Sequence, residues 1–123
     1  MLPRVLHVEF PPGDPRIGAT DGRTIWLHRA LSQAGQRCVL EHELEHIARG
    51  HSTCQTAREE HRVRRTVARR LISTRDLIAT WRVSRTLNEW AEHLHVTETV
   101  LLDRLSDYLS SGLHLPVDEH ESA

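Results

Sequence analysis

The sequence predicts an α+β domain, a small N-terminal sheet followed by a helical remainder, and three observations carry that reading. Arg4–Phe10 sets Val5, His7 and Glu9 against Leu6, Val8 and Phe10, the two-residue period of a half-buried strand. Ile17–Ala19 and Thr24–His28 flank Asp21-Gly22, a pair that supplies the positive φ angles of a tight hairpin turn. From Ser32 onward, apolar residues recur at helical spacing between residues suited to capping.

Taken in order, Pro11-Pro12-Gly13-Asp14-Pro15 interrupts regular structure and makes a loop between the first strand and the hairpin. Ser32 is placed to cap a first helix that runs through Ala34, Cys38, Val39 and Ile47 to about Arg49, with Gly35 weakening its start. Gly50 is placed to end it in a left-handed conformation, and His51–Gln55 is a short link. A second helix is expected over Thr56–Ile72, with Val63, Val67, Ala68, Leu71 and Ile72 inward. Its remaining faces are rich in Arg, the pattern of a solvated surface. Ser73 or Thr74 caps a third helix at Thr74–Thr80, Ser84 a fourth across Leu87–Leu94, and Thr97 a fifth across Val100–Leu109. The expected organisation is one domain over 1–115: sheet to 31, active-site helices over 32–72 and C-terminal helices over 73–112. Pro116 and the acidic end make 113–123 a flexible tail.

The totals narrow the classes. A chain of 123 residues suits one modest core, and a formal charge of −1 gives no global reason to expect nucleic acid or an anionic membrane. All 16 basic residues are Arg, which identifies no function. Cys38 and Cys54 are too few for a disulfide framework; Cys38 reads as a small buried thiol one turn before His42, and Cys54 as inert. No apolar run spans a bilayer and Met1–Phe10 has no signal-peptide pattern, so a cytoplasmic protein with reduced thiols is expected.

The chemistry concentrates at His42-Glu43-Leu44-Glu45-His46, an H-E-x-x-H sequence inside the first helix. Histidines four apart share a helix face, so both imidazoles reach one metal ion, and Glu43 beside them suits a general base acting on water. A metzincin pattern fails, because the positions three and six beyond His46 hold Arg49 and Ser52. For the third ligand, His51 lies where the chain leaves the helix, while Glu59 and Glu60 lie on the next one, the usual source of a carboxylate in two-His, one-Glu sites.

His42–His46, Gly50-His51 and Arg58-Glu-Glu-His-Arg-Val63, leading into Val67–Ile72, resemble the ImmA/IrrE family of metallopeptidases, especially short forms from actinobacteria and their phages. Thr24–His28 and Arg37-Cys38 fit as well. The resemblance implies a minimal zincin-like α+β fold, one Zn²⁺ bound by His42, His46 and Glu60, and Glu43 as the catalytic base. The match at Glu60 follows from aligning Val63 with the family's small apolar position. The next position, commonly Asp or Asn in the family, is Arg64 here, and Ser73 replaces a Pro found in longer members. The implied function is a regulatory zinc endopeptidase acting on a helix-turn-helix transcriptional repressor of a phage or mobile element. The alternative is a metal-bearing interaction module that binds a regulator without cutting it.

Two further stretches have docking readings. Trp26-Leu27 ends a strand read as a sheet edge, where an extended substrate would pair. Leu87–Tyr108 has the rhythm of a helix-turn-helix, but its second helix carries Glu98, Asp103, Arg104 and Asp107, a poor composition for approaching DNA phosphates. Direct DNA binding is therefore not expected, and these helices read as packing or partner-binding elements.

Overall fold

The computed structural model describes residues 2–117. It is an α+β fold in the order β1 (Arg4–Val8), β2 (Gly18–Thr20), β3 (Thr24–His28), α1 (Gln33–Ala48), α2 (Ala57–Leu71), α3 (Thr74–Val83), α4 (Leu87–Leu94) and α5 (Glu98–Ser110). The chain falls into two compact units, Met1–Val67 and Ala68–Ala123.

In the first unit the sheet order is β1-β3-β2, with β1 parallel and β2 antiparallel to β3. The β2–β3 turn holds as its chemistry dictates. Gly22 takes φ +96°, and the Asp21 carboxylate accepts from the amides of Arg23 and Thr24 at 2.9 Å each. One expectation is corrected: the strand carrying Trp26 and Leu27 is the centre of the sheet, paired on both sides, and the edges are β1 and β2. A parallel β1 needs the long Pro-rich crossover between it and the hairpin, which frees β3 to take the middle.

Alternation along β3 buries Ile25 and Leu27. They form a core with Val39 of α1, surrounded by Leu31, Leu40, Leu44 and Ile47. Ser32 caps α1 by accepting from the Gly35 amide at 3.0 Å. Gly18 is where β2 lies closest to the helix: a Cβ there would stand 2.3 Å from Val39 Cγ1 and 3.4 Å from Glu43 Oε1. Val39 is β-branched and held to one rotamer in a helix, so it has nowhere to retreat. Gly18→Ala is expected to destabilise the protein by about 1–3 kcal/mol through overpacking, read as a fall in the denaturant midpoint.

In the second unit, Ser73 caps α3 and Thr97 caps α5, each through its side-chain oxygen. The cap of α4 is Thr86 and not Ser84, whose hydroxyl donates instead to the Thr80 carbonyl at 2.5 Å and closes α3. α3 also continues to Val83, three residues past its expected end. Tertiary packing holds that last turn. The Trp81 ring lies 5.3 Å from that of Trp90, and its indole N–H donates to the Pro116 carbonyl. Trp90 donates in turn to the Thr80 hydroxyl at 2.8 Å, and Leu77, Ala91, Leu94, Val96 and Leu101 are buried. Residues 113–117 have no regular structure but are tied by that Trp81 bond and by one from the Tyr108 hydroxyl to the His114 carbonyl. The expected flexible tail lies, from residue 118 on, outside the described residues.

Candidate metal centre

The site is built on one face of α1, where the four-residue spacing stacks His46 one turn beyond His42. Their rings meet edge to face at 4.9 Å, with the Nε2 atoms 3.2 Å apart. α2 supplies Glu60, whose Oε1 lies 2.5 Å from His42 Nε2 and whose Oε2 lies 3.1 Å from His46 Nε2. All three donor atoms fall within 4.8 Å of one another. Donors bonded to a tetrahedral ion at ~2.0–2.2 Å stand about 3.3 Å apart, so two of these spacings already fit and the shortest opens slightly to admit an ion. Two imidazole nitrogens and one carboxylate oxygen leave a coordination position free, the donor set of a catalytic rather than a structural site. The residues present therefore suit a divalent metal ion. The His42 and Glu60 side chains are 24% and 38% exposed, so the cluster is reachable from solvent.

Burial is the strongest influence on His42 and holds its pKa below the ordinary value, against the pull of the Glu60 carboxylate. The neutral ring is the form with a lone pair for a metal. Glu43 is buried beside the cluster, against Gly18 of β2. Burial first, and the charge of Glu60 second, push its pKa from 4.5 up to about 7.

This shift has a sign that can be read in the metal-free protein. Unfolded, Glu43 titrates near 4.5; folded, near 7. Between those values the folded chain holds more protons, so stability falls as the pH rises through the window. Glu43→Gln removes the burdened carboxylate. The metal-free variant is expected to melt above the wild type at pH 8, with the difference closing by pH 4 in paired thermal scans.

Of Glu59, Glu60 and His51, Glu60 is the one whose carboxylate faces the Nε2 atoms of both histidines. Glu59 points instead to Arg49, at 3.0 Å, and to Arg62 and His51. Burial raises its pKa, but the guanidinium groups of Arg49 and Arg62, Arg49 foremost, hold it below the ordinary carboxylate value. His51 Nδ1 lies 3.0 Å from His46 Nδ1, across the ring from the nitrogen that faces Glu60. Arg49 and Gly18 were not among the residues singled out in the sequence, though each leaves a trace there. Glu45 and Arg49 are an i,i+4 charge pair, and a glycine inside a strand marks a close backbone approach.

A sheet carrying a helix with two stacked histidines, a carboxylate from the following helix and a buried acid beside them together make up a candidate metal centre with the donor set of a metal-dependent hydrolase. Residues 5–106 match the peptidase M78 family model, the IrrE N-terminal-like domain, and the chain belongs to that family of ImmA/IrrE-type metallopeptidases. No curated protein and no solved structure matches the chain.

Proposed function

We propose that this protein is a zinc-dependent regulatory endopeptidase that cuts a helix-turn-helix repressor of a phage or mobile element. The observation that carries the reading is the convergence of His42, His46 and Glu60 with Glu43 alongside, in a chain of a peptidase family. His42, His46 and Glu60 would hold the ion. A bound zinc supplies Lewis acidity, lowering the pKa of water and polarising a carbonyl. Glu43 takes the proton of the attacking water and delivers it to the departing amine, a role suited to a carboxylate whose pKa has been moved toward neutrality. β2, the sheet edge packed on α1, is the docking strand: an extended segment paired along Gly18–Thr20 lies on the strand that meets α1 at Val39 and Glu43.

The test is incubation of the zinc-loaded protein with the repressor encoded nearest its own gene, with fragments read by mass spectrometry. Discrete fragments are expected from the wild type and none after zinc is removed with a chelator. The non-cleaving alternative draws on Arg64, one turn beyond Glu60, whose charge acts on His42. It requires a stable complex with intact repressor that Glu43→Gln leaves unchanged.

A further inference from the structure

We propose that His51 and Glu59 are positioning residues of the metal centre, a relay that fixes which nitrogen of His46 is free for the ion. The proposal rests on the zinc-site reading above and extends it beyond the three donors.

The relay begins with how α1 ends. Gly50 adopts φ +77°, a conformation open to glycine at little cost. Its amide donates to the Ile47 carbonyl at 2.9 Å, and the next amide, that of His51, donates to the His46 carbonyl at 2.8 Å. This pair of bonds is the Schellman closure, which folds the second residue past the cap onto the third residue from the helix end. Two apolar side chains commonly meet there. In this chain they are two imidazoles, with ring centroids 5.2 Å apart and Nδ1 atoms 3.0 Å apart.

Only one of two facing imidazole nitrogens can carry the proton between them when both rings are neutral. Ligation through His46 Nε2 puts the His46 proton on Nδ1, so His51 Nδ1 accepts it. The His51 proton then sits on Nε2, which faces Glu59 Oε1 at 3.6 Å. Glu59 is in turn fixed by Arg49 at 3.0 Å, and Arg49 by Glu45 at 2.7 Å and the Thr66 hydroxyl at 2.9 Å. Every proton in the series has one position that suits all members. The Glu59-Glu60 doublet divides the work: successive helical residues point ~100° apart, so Glu60 turns to the donor cluster while Glu59 turns to His51. A hydrogen bond to the outer nitrogen of a ligating histidine sets its tautomer and ring orientation and raises its basicity.

The test compares zinc dissociation constants, by chelator competition, for the wild type, His51→Ala, His51→Gln, His51→Leu and His46→Ala, with the histidine tautomers of the zinc-loaded wild type read from long-range ¹H–¹⁵N spectra. His51→Ala is expected to weaken zinc binding by roughly 10–100-fold, the usual loss for a partner of a metal ligand. His51→Gln, with a carbonyl to accept and an amide to donate, recovers most of that loss, whereas His51→Leu, of similar size but unable to accept, does not; equal recovery by His51→Leu overturns the relay. The spectra are expected to show His46 protonated at Nδ1 and His51 at Nε2. Undiminished affinity in His51→Ala, or His51 protonated at Nδ1, overturns the relay while leaving the metal centre standing. Undiminished affinity in His46→Ala removes the metal centre and the relay together.

Discussion

Glu43→Gln is expected to retain zinc and to lower the rate of repressor cleavage by about 10²–10⁴-fold, the contribution of a positioned general base. The substitution keeps the side chain's size against Gly18 and removes only its ability to take a proton, so the sheet–helix packing survives. Because Glu43 is not one of the three donors, zinc content separates loss of the base from loss of the ion. Cleavage at the wild-type rate by the zinc-loaded variant would sink the mechanism. An unchanged complex with intact repressor would transfer the function to binding.

The second large effect concerns stability and lies away from the metal centre. Asp107→Ala is expected to cost about 3 kcal/mol, because it strips a buried guanidinium of its countercharge. Arg104 is 7% exposed and donates to the Ile72 carbonyl at 2.7 Å and the Thr74 hydroxyl at 2.9 Å, tying the segment after α2 to α5. Asp107 lies 3.5 Å from Arg104 and accepts two bonds from Arg69 at 2.7 Å each. For a chain of this size such a loss lowers Tm by roughly 10 °C. Asp107→Asn keeps an acceptor beside Arg104 and should fall between the two. A Tm for Asp107→Ala within a degree of the wild type would show that Arg104 is satisfied by its other bonds alone.

Local signals were legible wherever one residue's chemistry decides the conformation. The alternation at Leu6 and Val8, the Asp21-Gly22 turn and the caps at Ser32, Ser73 and Thr97 were all available from spacing and side-chain type. Where two local solutions competed, tertiary structure chose between them. Ser84 and Thr86 are both competent caps, and Ser84 was taken by the Thr80 carbonyl. The central place of β3 was hidden because pairing order depends on a crossover rather than on the strand's own sequence. At the site, His42 and His46 share a face by helical geometry alone. The division between Glu59 and Glu60 was not decided by spacing, because adjacent residues on one helix differ only in direction, and direction depends on how α2 meets α1. Gly50-His51 held more than its role as a helix stop: the same closure that ends α1 carries His51 onto His46.

The metal centre is tested by the metal content of the purified protein, read by elemental analysis beside His46→Ala and Glu60→Ala. About one zinc per wild-type chain is expected, lost in both variants. A wild-type chain that holds no metal after zinc addition and dialysis, or a Glu60→Ala chain that holds as much as the wild type, would contradict it.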